Sequence, residues 1–154
     1  MTQTLSAQGF DLLGQREDKR NRAYRDSVGI WTIGIGHTGP EVHEGLVWTD
    51  AQVMDAFAKD AAWVSAAIVE SVKVPLEQYQ YDALFSFTFN VGANGEEHSH
   101  VVSFINAGDM AGAATAFDMW HIPASITTRR NGEKFQFMGI VFAARCDANG
   151  NPVP

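Results

Sequence analysis

Residues 17–38 read EDKRNRAYRDSVGIWTIGIGHT, from Glu17 to Thr38, and this stretch decides the fold. Asp26-Ser-Val-Gly29 has turn composition. It separates Ala23-Tyr24-Arg25 from Ile30-Trp31-Thr32-Ile33-Gly34-Ile35, a run of β-formers, so the segment predicts a β-hairpin. Side chains alternate along a strand. Trp31, Ile33 and Ile35 then face a core, while Thr32 shares the opposite face with Gly34 and Gly36. That second face is bare apart from one hydroxyl. Two readings stand open: a surface where another molecule approaches the backbone, or glycines that mark only twist or a bulge.

Just upstream, Phe10, Leu13 and Glu17 are spaced i, i+3 and i+7 and share one face of a first helix. Ser6 is its expected N-cap. Glu17 falls at the C-terminal end of that helix, on the apolar side. A carboxylate with apolar neighbours and little water keeps its proton to higher pH, and the negative end of a helix dipole acts in the same direction. A general acid needs such surroundings. The position equally suits a surface Glu paired with Arg16 or Arg20, since most acidic residues are solvated. Two carboxylates, Glu17 and Asp26, with a hydroxyl at Thr32, are the parts required to cut a glycosidic bond with water.

The spacing of Glu17, Asp26 and Thr32 resembles the active-site segment of phage-type lysozymes, a glycoside hydrolase family. Ala-Tyr before the Asp and Thr-Ile-Gly-Ile-Gly-His after it belong to the same likeness. Further matches are Gln80-Tyr-Asp82-Ala-Leu, Phe87-Thr-Phe-Asn90-Val-Gly92, Ile105-Asn-Ala-Gly108-Asp109, Trp120 and Ile126-Thr-Thr-Arg-Arg130-Asn-Gly-Glu133, so it spans about residues 6–142. The resemblance implies an α+β, predominantly helical fold. A small hairpin lobe (about 17–48) would face a larger helical lobe (about 76–142) across a cleft, within one catalytic domain, 1–154. It implies a muramidase: an endolysin that hydrolyses β-1,4 bonds between N-acetylmuramic acid and N-acetylglucosamine in peptidoglycan during phage lysis of the host. Glu17 would protonate the leaving oxygen. Asp26 would stabilise the oxocarbenium-like transition state and, with Thr32, place the attacking water. The family usually inverts, which requires carboxylates about 6.5–9.5 Å apart. By the same likeness Thr38, Phe89 and Ser99 would contact substrate, although Phe89 equally suits a plain core position. One departure lies beside the acid: Asp18 stands where the family usually has Gly, and helix geometry turns it towards solvent. Two other functions share this scaffold, a lytic transglycosylase on the same bond and a non-catalytic glycan-binding protein. The pair that handles water, Asp26 and Thr32, argues against the first.

Composition bounds the rest. The chain has 154 residues, 45% of them apolar, enough for one domain or two small lobes. No apolar run approaches a membrane span. No basic N-terminal region precedes an apolar stretch, so no signal peptide or anchor is expected. Accumulation in the host cytoplasm, and release to the periplasm or wall through a separate pore, a holin, follow as expectations. The single cysteine, Cys146, permits no internal disulfide and has no catalytic partner motif. No metal or cofactor is expected, and a monomer is. The formal net charge is −7, with pI near 5.1. Such a field opposes attraction to anionic bacterial surfaces, and no basic stripe suggests nucleic-acid binding. Arg16, Lys19, Arg20, Arg22 and Arg25 cluster around the hairpin, a pattern that favours a solvated helix end and strand edge over a peptide-binding patch.

Beyond the hairpin, Thr49-Asp-Ala-Gln52 forms a capping box that opens a long helix with an apolar stripe, Val53, Phe57, Val64 and Ile68. Asp60 falls in that stripe and needs a partner; His37 is the candidate, a clamp between hairpin and helix. Pro75 is expected at N1 of the next helix, which runs to about Asn90, apolar almost all round and buried. Glu96, Glu97, His98 and His100 are too closely consecutive for a metal signal. Arg129 or Arg130 would tune the catalytic carboxylates. Residues 147–154 are breaker-rich and expected to fray. No separate wall-binding module is expected, which would fit a thin, Gram-negative wall.

Overall fold

The computed structural model describes residues 2–154. Its elements run α1 (Ala7–Arg16), β1 (Arg20–Arg25), β2 (Trp31–Gly34), β3 (His37–Thr38), α2 (Asp50–Asp60), α3 (Ala62–Ser71), α4 (Gln78–Val91), α5 (Ala93–Glu97), α6 (His100–Asn106), α7 (Met110–Ala116) and α8 (Thr127–Phe137). Two 3-10 turns, Phe117–Trp120 and Ala124–Ile126, precede α8. The fold is α+β and mostly helical. It divides into two compact units, a hairpin unit of Gly14–Ala62, and a helical unit made of residues up to Leu13 together with Trp63–Pro154. The hairpin unit extends beyond the boundary expected near 48 because α2 packs on the sheet. A side chain at Gly34 would lie 3.4 Å from Val53 of α2.

In the hairpin unit, β1, β2 and β3 form an antiparallel sheet in sequence order. Tyr24 opposes Thr32 on one side of β2, and Thr38 opposes it on the other. Ile33 (0% exposed), Ala23 and Val42 form its core, with Trp31, Leu46 and Trp48 packed around them. The connection before α2 runs beside β1: the Ala23 N–H donates to Leu46 O at 2.9 Å and the Trp48 N–H to Asn21 O at 2.7 Å. The capping box of α2 is present, with the Gln52 N–H donating to Thr49 Oγ1 (3.2 Å) and the Thr49 N–H to Gln52 Oε1 (2.8 Å). The long helix expected after it is interrupted at Ala61, where ψ rises to 9°. Its apolar stripe nevertheless continues across the break through Val53, Phe57, Ala61, Val64 and Ile68, all buried.

In the helical unit, Ser6 caps α1, accepting the Gly9 N–H at 3.0 Å. Ser6 also donates its backbone N–H and its hydroxyl to the Asp82 carboxylate. Residues 80–88 of α4 are all buried, so this helix is enclosed on every side, as its composition predicts. Pro75 is not at N1; α4 begins two residues after Leu76, with Glu77 as N-cap. The Glu77 N–H donates to Gln80 Oε1 at 2.9 Å, which satisfies a group that Pro lacks. The tail also departs from expectation. Asp147 Oδ1 accepts the N–H groups of Asn149 and Asn151, its Oδ2 accepts Asn151 Nδ2, and the Val153 N–H donates to Arg145 O at 3.0 Å. One carboxylate thereby closes a segment whose composition alone reads as fraying.

The clamp between hairpin and helix forms, with one partner more than expected. His37 Nδ1 lies 2.6 Å from Asp60 Oδ2, and its Nε2 lies 2.6 Å from Glu41 Oε1. Asp60 sits at the exposed edge of α2 rather than within the stripe. Burial works against the imidazolium charge and is the largest single influence. The hydrogen bonds and charges of Glu41 and Asp60 together outweigh it, so His37 holds its proton to higher pH than an ordinary His. His37 holds the Glu41 carboxyl below the usual carboxylate range in return. The folded-state value of His37 is raised. The clamp's contribution is therefore complete below the ordinary His value and is lost as pH rises through the higher folded value; on the acid side it ends where Glu41 protonates. His37→Ala is expected to lower Tm by roughly 3–6 °C at pH 5.5–6, and the gap between mutant and wild type narrows above pH 8. Thermal melts at both pH values check this, and equal gaps at both would contradict the assigned charge state.

Candidate active site

Glu17, Asp26 and Thr32 all belong to the hairpin unit. Glu17 is half-buried and follows the last residue of α1. What ends the helix there is legible in the backbone. The Lys19 N–H donates to Gly14 O at 2.8 Å, and Asp18 between them has φ 56°. This is a Schellman closure, with Glu17 at the C-cap and Asp18 in the left-handed position that glycine favours. Glycine is the residue that adopts this conformation at least cost. An Asp tolerates left-handed backbone better than most residues, yet at a cost. Its side chain points to solvent and takes a two-pronged bond from Arg20, 3.0 and 2.7 Å from Nε and Nη2.

Asp26 closes the β1–β2 turn. Its Oδ1 accepts the N–H groups of Val28 and Ile30, each at 2.9 Å. Its own N–H donates to Ile30 O, and Gly29, at φ 86°, donates to Asp26 O. A carboxylate spanning its own loop in this way is what the Asp-x-x-Gly spacing permits. Thr32 is 3% exposed, and its hydroxyl donates to Ile30 O at 3.0 Å. The peptide groups of Ile30 thus bind both side chains: its N–H holds Asp26 and its C=O holds Thr32. The strand face expected to be bare is not bare. Thr32 is enclosed by pairing on both sides, and Trp48 and Val53 cover Gly34; only Gly36 has open space where a side chain would stand.

Thr38 is exposed on β3 beside Thr32. Phe89, in the helical unit, is half-buried and stacked on Trp63, with ring centroids 6.4 Å apart and planes 19° apart. Ser99, expected to contact substrate, is the N-cap of α6. It is 3% exposed, donates its hydroxyl to Glu96 O at 2.7 Å and accepts the Val102 N–H. Its proton and one of its two lone pairs serve the fold. Arg130 serves it likewise: its three nitrogens bond Trp120 O, Glu133 and Asn90 Oδ1. Arg129 gives Nε to Glu133 at 2.9 Å and Nη2 to Ser86 O at 3.1 Å. The basic cluster has local partners too. Lys19 pairs with Asp50, the Arg20 guanidinium covers the Tyr24 ring, and that of Arg25 covers Trp31. These contacts favour the surface-support reading of those charges.

The burial of Glu96 was not expected from its place among Glu97, His98 and His100. Glu96 is 0% exposed, whereas Glu97, His98 and His100 are exposed, so the four do not converge. Among the described residues, no three His, Cys, Asp or Glu side chains are grouped as metal ligands. Ser71 donates to Glu96 Oε1 at 2.6 Å, while Oε2 is buried without a hydrogen-bond partner. Burial pushes this carboxyl up to about 7 against the opposing bond from Ser71, and the Glu97 charge adds to the rise. A run of consecutive polar residues gives no signal of which is buried, so the burial of Glu96 in a five-residue helix was not readable.

Comparison with known proteins gives one consistent picture. Residues 14–134 match the family model described as Phage lysozyme. The chain is 37% identical over 142 residues to the endolysin of Salmonella phage P22, covering 87% of this chain and 97% of that one. It is 34% identical over 137 residues to the endolysin of Acyrthosiphon pisum secondary endosymbiont phage 1, covering 89% and 90%. Among solved structures, a mutant of P22 lysozyme superposes with a TM-score of 0.82 at 36% identity, over 88% of this chain and 99% of that one. The muramidase domain of SpmX from Asticcacaulis excentricus gives 0.75 at 32% identity, over 88% and 97%.

The strained helix end beside Glu17 is open to test. Asp18→Gly relieves the left-handed backbone and forfeits an exposed ion pair. Tm is expected to rise by about 2–4 °C, with cleavage activity retained. Differential scanning calorimetry decides it, and a fall in Tm would mean the Arg20 pairing outweighs the strain.

Proposed function

This chain belongs to the phage lysozyme family, and on that premise we propose that Glu17, Asp26 and Thr32 form its catalytic set. Members of the family are muramidase-type glycoside hydrolases. The chain is a peptidoglycan hydrolase of phage-mediated lysis. The proposed reaction cleaves β-1,4 bonds between N-acetylmuramic acid and N-acetylglucosamine with inversion.

The observation that carries the assignment is the bonding around Ile30. Asp26 Oδ1 is committed to two backbone N–H groups, which leaves Oδ2 to accept from a water. The Thr32 proton is committed to Ile30 O, so its oxygen meets that water as an acceptor. A water that donates one hydrogen to Asp26 and the other to Thr32 has a lone pair left for the anomeric carbon. As the carbon–oxygen bond to the leaving sugar breaks, Glu17 gives its proton to the leaving oxygen. Asp26 takes a proton from the attacking water and stabilises the positive charge that develops on the ring. Preset donors and acceptors spare the reorganisation that free water would require. Thr38 and Phe89 are proposed to contact sugar, the one through its exposed hydroxyl and the other through its half-buried ring. Ser99 is not.

Two finer points belong to the same proposal. The protein acts as a monomer, which sedimentation at working concentration tests. It reaches the wall through a holin, which co-expression with and without such a pore tests. Among the described residues, no helix is long and apolar enough to cross a membrane.

The main test is turbidity loss on chloroform-treated Gram-negative cells. Glu17→Gln is expected to lose at least about 10²-fold in rate. Thr32→Val, which keeps shape and loses the acceptor, is expected to lose about 10–100-fold, and Thr32→Ser to recover most of it. Full activity of Glu17→Gln would remove the assignment. Reducing-end analysis of the products distinguishes hydrolysis from transglycosylation: an anhydro sugar would assign no role to the water.

A further inference from the structure

The peptide unit that joins Gly29 to Ile30 is held at both ends. Its N–H donates to Asp26 Oδ1 at 2.9 Å, and its carbonyl oxygen accepts from Arg25 Nη1 at 2.8 Å. Asp26 Oδ1 also takes the Val28 N–H at 2.9 Å. That second peptide differs: among the described residues, no side chain donates to its carbonyl, at Ser27. One of the two donors that grip Asp26 is therefore backed by a charge and the other is not.

The sheet places Arg25 for this contact. It is the last residue of β1 and stands opposite Trp31, the first of β2. Trp31 packs on the core of the hairpin unit, and the Arg25 guanidinium lies over its ring, 4.6 Å from the centroid. A planar guanidinium seated over a ring keeps its in-plane N–H groups for donation at the edge. Nη1 uses that edge to reach Gly29 across the turn.

We propose that Arg25 is a positioning residue for bond cleavage, holding the Gly29–Ile30 peptide so that its N–H fixes the direction of the Asp26 carboxylate. The inference rests on the catalytic role proposed for Asp26. Arg25 acts through that side chain and not on the sugar. Amide resonance couples the two ends of a peptide, so a cation on the oxygen makes the N–H a stronger donor. With Oδ1 gripped more firmly, Oδ2 keeps its aim at the attacking water. The neighbouring Ile30 carbonyl holds Thr32, so a turn that slips at Gly29 shifts both groups proposed to bind that water. A guanidinium stays charged throughout the working pH range, so this hold does not titrate. The bond is exposed and contributes little to overall stability; what it sets is geometry.

The test uses the full chain, isotope-labelled for NMR. Arg25→Met keeps a stem over Trp31 and removes charge and donor, whereas Arg25→Lys keeps a charge and a donor. In Arg25→Met the Ile30 amide proton is expected to move upfield and to exchange faster, with a smaller change at Val28. Initial rates on solubilised glycan strands are expected to give kcat lower by about 3–10-fold with KM within about twofold, a smaller loss than removal of a group that meets the reacting atoms. Tm is expected to stay within about 2 °C of wild type. Arg25→Lys is expected to recover most of the amide shift and most of kcat. An unmoved Ile30 amide, equal changes at Val28 and Ile30, a loss confined to KM, or no recovery with Lys would overturn the proposal. Full activity of Glu17→Gln strikes the catalytic set and this inference with it; normal dependence on Glu17 with undiminished kcat in Arg25→Met strikes this inference alone.

Discussion

The hairpin depends on one carboxylate that holds its own loop. Asp26 joins two backbone N–H groups across the turn, and Ile30 passes that order on to Thr32 through its carbonyl. Local polar bonds, not bulk, fix the geometry at this end of the sheet. That suits a small unit, whose core is limited to Ile33, Ala23, Val42 and a few aromatic neighbours. The same bonds that stabilise the turn decide which lone pairs are left over. On the proposed catalytic assignment structure and chemistry draw on one set of atoms, and a substitution at Asp26 would disturb both together.

The helical unit is ordered by a different device. Glu133 is fully buried and accepts from Ser86, Arg129 and Arg130. Breaking such a network by removing one partner leaves an uncompensated buried charge, a cost of about 3–5 kcal/mol. Arg130 extends the network to Trp120 O and Asn90, so α4, the turn before α8, and α8 itself share a single polar centre. Around it the aromatic rings of Phe87, Phe117, Trp120 and Phe137 meet edge-on or tilted within 5.5 Å between centroids.

Much of this was legible in the residues. Ser6 as cap, the Asp26–Gly29 turn, the Thr49–Gln52 box and the fully buried α4 each follow from local rules that tertiary packing did not override. The His37–Asp60 pair was readable because a carboxylate near an apolar stripe needs a partner. What was not readable shares a physical cause. β3 is two residues long, too short for a periodic signal, yet it pairs with β2 at Thr32. Ser99 and Glu96 sit at the ends of short helices, where composition reads as a polar loop and burial is set by what packs above. Arg130 looked available because a sequence shows a charge and not the acceptors that surround it.

The closed loop at the end of the chain has a chemical consequence. Cys146 is 0% exposed, bridged across the strand-like pair to Pro152, and Gly150 lies against the Phe135 ring. The lone sulfhydryl is shut away from oxidants and from other molecules by a lid that Asp147 ties down. A thiol so shielded takes part in neither cross-linking nor peroxide damage. The protein's one thiol is therefore shielded alike in reducing and oxidising surroundings.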